Sequence, residues 1–221
     1  MVSSTSVGLS PLQREILEAF FERTEKFFLT GCGALAGFYL KHRDTKDLDL
    51  FATPDVDIHV GVDALHDGST AIGAVDKVLR ESGDFRRFIV TRGDESTLVD
   101  LVVDRAPQIE KDKPRFGRVV VDPVGEIAAN KLCALLDRVE VRDLFDLKLL
   151  LEGGLQLEQV LRGAQQKYAS VDPATLAWVL GGFRLGPAMP FPPGITLEEL
   201  DAFREALMDR LTRMALPVEP G

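Results

Sequence analysis

The segment Asp47-Leu-Asp49-Leu-Phe51 alternates strictly between acidic and apolar residues, and that pattern suits one backbone conformation. In an extended strand, side chains two apart point the same way, so Leu48 and Leu50 pack inward while Asp47 and Asp49 project together. Two such carboxylates about 4 Å apart repel by roughly 4 kcal/mol at an effective dielectric near 20. A strand keeps that arrangement most readily when a hard cation bridges the oxygens, and Mg²⁺ held by a few carboxylates plus substrate phosphates fits the requirement. Just upstream, Leu29-Thr-Gly31-Cys32-Gly33 offers a glycine turn able to cradle a phosphate. Together these features point to a metal-dependent enzyme acting on a nucleoside triphosphate.

At 221 residues and 45% hydrophobic content, the chain can bury a sizeable core. No apolar run reaches the roughly 20 residues that span a bilayer, and Met1-Val-Ser-Ser-Thr-Ser reads as a short frayed tail rather than a targeting segment. Cys32 and Cys133 sit in segments that look buried and form neither a disulfide framework nor a CxxC pair, so the expected setting is the reducing cytoplasm. The net charge of −9 weighs against a broad nucleic-acid footprint. Local basic stretches remain: Arg86-Arg87 with Arg92, and Lys111, Lys113, Arg115 and Arg118, the plain alternative for which is a solvated basic loop.

Ser10-Pro11 marks a helix start, with Leu12, Ile16, Leu17, Phe20 and Phe21 as its core stripe. A strand over 26–29 ends in the Gly31 turn, and a helix over 33–42 leads to the acidic strand. After Pro54 the pattern is less regular, followed by a helix near 71–81. Residues 85–91 and 97–103 form an antiparallel pair across the turn Arg92-Gly-Asp-Glu, and 118–121 adds a further strand. From Pro123 the pattern is helical, over 124–137, 141–151, 157–169, 173–180 and 197–215, with a Gly/Pro-rich connection at 181–194. The expected fold class is α+β with an α/β-like character: a mixed sheet with flanking helices over 1–122, then a C-terminal helical bundle over 123–221 that completes the active site.

Asp100, a lone acid in the apolar run Thr97-Leu-Val-Asp-Leu-Val-Val, supplies a third carboxylate. If its strand lies beside Asp47–Phe51, three carboxylates converge on one metal; otherwise Asp100 pairs with a buried arginine. Here the chain resembles the AbiEii family of toxin nucleotidyltransferases, which includes the MenT-type toxins, within the DNA polymerase β-type nucleotidyltransferase superfamily. The resemblance rests on Phe28-Leu-Thr-Gly-Cys-Gly-Ala-Leu-Ala, His42-Arg-Asp-Thr-Lys-Asp-Leu-Asp-Leu-Phe, Val99-Asp-Leu, Ala129-Asn-Lys-Leu-Cys-Ala-Leu-Leu-Asp-Arg and Arg142-Asp-Leu-Phe-Asp-Leu.

What the resemblance implies can be laid on individual residues. Gly31, Cys32 and Gly33 would hold the triphosphate through backbone N–H groups. Asp47, Asp49 and Asp100 would ligate Mg²⁺, with Asp100 also helping to activate an attacking hydroxyl. Arg43 and Thr45 would touch phosphate, Lys131 would sit near the nucleotide, and Asp143, Arg142 and Asp146 would join the site. For Arg142, Asp143 and Asp146, together with Arg138, a helix-surface salt-bridge set is the alternative. Cys32 and Gly33 depart from the family, which usually has Gly or Ser at the first position and Thr or Ser at the second.

Other motifs carry less. Asp55-Val-Asp57-Ile-His59 is expected to be an exposed edge, and His66-Asp67 lacks the partners of a phosphohydrolase site. No nucleophile-elbow motif supports a Ser-His-Asp hydrolase. Trp178 is expected to pack the helical part. The implied activity is transfer of a nucleoside monophosphate from an NTP to an acceptor hydroxyl with release of pyrophosphate. The implied acceptor is the 3′ end of tRNA, and a cognate antitoxin the implied partner. The alternatives are a small-molecule, antibiotic-type nucleotidyltransferase, which the acidic charge favours for a cationic acceptor, and a catalytically weakened NTP-binding module.

Overall fold

A computed structural model describes residues 8–216; the tail expected at Met1–Ser6 lies outside them. The chain divides into two compact units, one running to Arg105 and resuming over Lys111–Pro123, the other formed by Ala106–Glu110 and the chain from Val124 onward.

The first unit opens with α1 (Pro11–Phe21), started by a capping box in which Ser10 and Gln13 exchange side-chain and backbone hydrogen bonds. β1 (Phe28–Thr30) turns at Gly31 into a short helical stretch, α2 (Gly31–Ala34), which widens into a π-helical turn over Leu35–Tyr39. The helix expected over 33–42 is therefore shorter and looser, and Phe38 and Tyr39 lie half-buried against Phe116. Then follow β2 (Asp47–Ala52), α3 (Ile58–Ala71), β3 (Val75–Ser82), β4 (Phe85–Arg92) and β5 (Glu95–Val103). The small hairpin β6 (Arg115–Phe116) and β7 (Val119–Val120) closes the unit, with Val121 bridging in parallel to Leu29.

The five strands are ordered β1-β2-β5-β4-β3, with β2 and β5 parallel and the other pairs antiparallel. One face is apolar: Leu48, Leu50, Val99, Leu101, Phe88 and Val90 are buried, and α1 and α3 pack on this unit's sheet. Phe20 and Phe27 meet edge-to-face at 5.6 Å in that core.

Two expectations fail here. Residues 58–71 are a helix rather than an irregular stretch, and Asp57 is its N-cap, accepting from the His59 N–H, so the acidic run at 55–59 is no edge strand. The glycines that disguise α3 are there for close packing: a Cβ at Gly61 would strike the Phe27 ring. The helix expected near 71–81 is instead the edge strand β3, whose Val75, Val78 and Leu79 imitate helical spacing because a bulge at Leu79 breaks the alternation.

The second unit holds α4 (Val124–Asp137), α5 (Val141–Glu152), α6 (Leu157–Lys167), α7 (Pro173–Gly182) and α8 (Leu197–Ala215). α4 lies against α5, α6 and α7, and α8 lies on α7. Fully buried Glu126 accepts hydrogen bonds from the Ile109 and Glu110 N–H groups at 2.9 and 3.0 Å and pairs with Lys167, which ties the 106–110 segment to α4 and α6. Trp178, expected to pack this bundle, is 79% exposed on α7.

Candidate active site

The register between β2 and β5 decides the site, because a one-residue slip would send every acid to the other face. Gln13 pins it. Its Nε2 donates to the Thr45 carbonyl at 3.2 Å and to Thr97 Oγ1 at 3.0 Å, while Thr97 Oγ1 donates to the Lys46 carbonyl at 3.2 Å. Gln13 is 2% exposed, so leaving its amide unpaired would be costly.

With that register Asp49 lies directly beside Asp100, and Thr30 and Arg87 extend the row on either side. Asp47 lies one pleat away, beside Leu98. Asp47, Asp49 and Asp100 thus share one face of two neighbouring strands. An arginine partner for Asp100 is present as well, half-exposed rather than buried. Arg87 Nε and Nη2 donate to both Asp100 oxygens, at 2.7 and 2.6 Å. The bond to Asp100, with Asp47 and Asp49 adding at longer range, holds the guanidinium further in its charged form. Each carboxylate oxygen has two lone-pair directions, so this clasp leaves acceptor capacity on Asp100.

Gly31 sits at φ +62, and a Cβ there would collide with the Asp49 carboxylate, so the turn needs glycine for conformation and for space. Thr30 Oγ1 is buried without a hydrogen-bond partner among the described residues. Thr45 Oγ1 donates to Asp47 at 3.1 Å and so braces the acid. Arg43 is 4% exposed, with Nη2 at 2.9 Å from the half-buried Cys32 sulfur. The donor set of Asp47, Asp49 and Asp100 is all hard oxygen, which suits Mg²⁺.

In the second unit Lys131 is 5% exposed and meets Asp143 Oδ1 and Asp146 Oδ2, each at 2.7 Å. Asp143 and Asp146 are buried, so they are no helix-surface set. Arg138 and Arg142 both pair with Glu140 at 3.2 Å. Cys133, also in this unit, has its thiol pushed up to about 11 by burial and is chemically quiet.

In the basic stretch at 111–118, Lys111, Arg115 and Arg118 are exposed and Lys113 is half-buried. Lys113 pairs with Asp122 at 2.6 Å and lies 4.4 Å from the Phe28 ring centre, and Arg115 pairs with Glu25. Arg86 and Arg92 pair with Glu81 and Glu15. Sequence reasoning missed Gln13 and, while allowing Asp100 an arginine partner, did not name Arg87 as that partner. The second was legible: a two-residue turn at Gly93-Asp94 opposes Arg92 to Glu95 and, counting back, Arg87 to Asp100.

A family model for the AbiEii nucleotidyl transferase toxin of type IV toxin–antitoxin systems matches residues 15–216. The chain belongs to the AbiEii nucleotidyl transferase toxin family. It is a nucleotidyltransferase, and its family brings with it a nucleotide substrate and an antitoxin partner. Among solved structures it is similar to MenT4, a nucleotidyltransferase toxin from Mycobacterium tuberculosis H37Rv, with TM-score 0.66 and 16% identity over 94% of this chain and 84% of that one. It is also similar to JHP933 from Helicobacter pylori, with TM-score 0.56 and 24% identity over 92% of both chains. At such identities the likeness carries the fold alone. No curated protein matches the sequence. No helix among the described residues is long and apolar enough to cross a membrane.

Proposed function

We propose that this nucleotidyltransferase is Mg²⁺-dependent and moves a nucleoside monophosphate from an NTP to the 3′-hydroxyl of tRNA in the cytoplasm, releasing pyrophosphate. The observation that carries the reading is the acidic row on one sheet face: Asp49 beside Asp100, Asp47 one pleat away, and Gly31 opening space over Asp49.

Asp47, Asp49 and Asp100 would hold Mg²⁺, which when bound offsets charge on the triphosphate and lowers the pKa of a coordinated hydroxyl. The turn Gly31–Gly33 brings backbone N–H groups to the phosphates, and Arg43 and Thr45 flank them. The acceptor oxygen forms a bond to the α-phosphorus as the bond to the bridging oxygen breaks; pyrophosphate departs and the hydroxyl proton passes to Asp100 or to water. Arg87 orients Asp100 for that contact by gripping both oxygens from the far side. Lys131, Asp143, Arg142 and Asp146 keep the roles that the family resemblance implies, as proposals.

The test incubates protein and Mg²⁺ with each labelled NTP and total tRNA, reading label on RNA and free pyrophosphate. Labelled tRNA supports the reading. Label on a small cationic acceptor instead, favoured by the net charge of −9, would move the substrate class to the small-molecule alternative.

A further inference from the structure

Beyond Asp100 the acidic face of the sheet continues onto β4 and β3, and its character changes from acidic to basic and aromatic. The row Asp49–Asp100–Arg87 ends at Arg80. One pleat to one side lie Ile89 and Lys77, and to the other Val102 and Phe85. Lys77 and Arg80 are three residues apart, which in an unbroken strand would send them to opposite faces. The bulge at Leu79 brings both onto the face of Asp100. Bulges next to sites commonly re-aim a side chain in this way.

These two cations differ from their basic neighbours. Arg86, Arg92 and Arg105 are paired with Glu81, Glu15 and Asp84, whereas neither Lys77 nor Arg80 has an ion-pair partner among the described residues. Both are exposed on the edge strand. Half-exposed Phe85 lies one pleat off the row on the side away from Lys77, with the Arg80 and Arg87 guanidiniums 6.0 and 5.7 Å from its ring centre. In a chain of net charge −9, these two cations, Arg80 of them beside an aromatic ring, form a basic patch on the acidic-row face.

Cations that follow a phosphodiester and a ring that takes a base are the two components of single-strand recognition. From β2 to β3 is three strand spacings, about 14 Å, so a strand whose 3′ end reaches Asp49 and Asp100 and crosses β4 passes beside Phe85, one pleat off that row, on its way to Arg80. We propose that the β3–β4 hairpin binds the single-stranded 3′ segment of an RNA acceptor, with Phe85 stacking a base and Lys77 and Arg80 holding the flanking phosphates. This rests on the RNA-acceptor reading above. It moves the RNA surface away from the 111–118 stretch, where Lys113 and Arg115 are already paired.

The experiment measures binding of a fluorescent single-stranded RNA oligonucleotide with a free 3′-hydroxyl over a range of salt, with transfer from labelled NTP to the same RNA in parallel. For K77E/R80E, affinity should fall more than about tenfold, and the log–log salt slope should become shallower by about 1.4, since each single-strand phosphate contact contributes about 0.7. Phe85→Leu should weaken binding about tenfold with the slope unchanged, because stacking releases no counterion. NTP binding should be unaltered in K77E/R80E, and its melting temperature should stay within about 2 °C, as expected for surface substitutions. An unaltered protein that binds and labels RNA while both variants match it overturns this surface and leaves the RNA-acceptor reading standing. Loss in K77E/R80E with no effect of Phe85→Leu also overturns it as stated, leaving a purely electrostatic contact with the RNA backbone and no stacked base. An unaltered protein that neither binds nor labels RNA overturns the acceptor reading itself.

Discussion

Lys131→Met is the perturbation whose magnitude the structure sets most directly. The Lys131 ammonium lies 2.7 Å from Asp143 and from Asp146, whose side chains are 9% and 0% exposed. Replacing Lys by Met keeps the chain length and removes the charge, leaving two carboxylates buried with their shared cation gone. Breaking a buried pair from one side costs about 3–5 kcal/mol, because the remaining charge is uncompensated. For a chain of this size each kcal/mol moves the midpoint by about 2–4 °C, so thermal unfolding followed by circular dichroism should show a drop of about 6–20 °C. Adding Asp143→Asn and Asp146→Asn should restore most of the loss, since a neutral set needs no cation. A single substitution that lowers the midpoint by less than about 3 °C would refute this reasoning and make Lys131 dispensable to the fold.

Gly31→Ala should abolish transfer with only about 1 kcal/mol lost from stability, because a Cβ at φ +62 is strained and also displaces the Asp49 carboxylate; kinetics beside a melting curve separate the two effects. Glu15, Glu25, Glu158 and Asp172 are held below the ordinary carboxylate range by hydrogen bonds from Arg92, Arg115, Arg210 and Thr175. Their folded values are depressed, so the stability they add is present above about pH 4.3 and lost as pH falls through the lowered values. Melting midpoints between pH 7 and pH 3 should fall less steeply for Glu158→Gln than for the unaltered protein.

How far the sequence reveals the fold depends on where each signal is local. The helical half is legible because caps and Pro/Gly punctuation are local: α4 and α8 run over Val124–Asp137 and Leu197–Ala215, as the periodicity expects, with Thr196 and Glu199 forming a capping box on α8. β2 is legible from its alternation. β3 is not, because an edge strand buries almost nothing and its bulge mimics helical spacing, and α3 is hidden by glycines chosen for packing against Phe27 and α1. Asp47 and Asp49 could be placed on one face from spacing alone. That Asp100 joins them depends on a parallel register set by Gln13, and no local pattern announces it. The burial of Asp143 and Asp146 around Lys131 is likewise tertiary. Sequence shows only the spacing of the acids along α5, which suits a solvent-facing pair equally well.

The central claim is that Asp47 and Asp49 form the catalytic acidic pair. Its most direct test is Mg²⁺-dependent release of pyrophosphate from NTP in the presence of acceptor RNA, by Asp49→Asn and Asp47→Asn separately. Circular dichroism should show each variant folded, since the amide relieves repulsion on a half-buried pleat. Because Asn is a poor Mg²⁺ ligand, the account predicts that each variant loses transfer by more than about 100-fold. Transfer that survives at near full rate in both folded variants would contradict it.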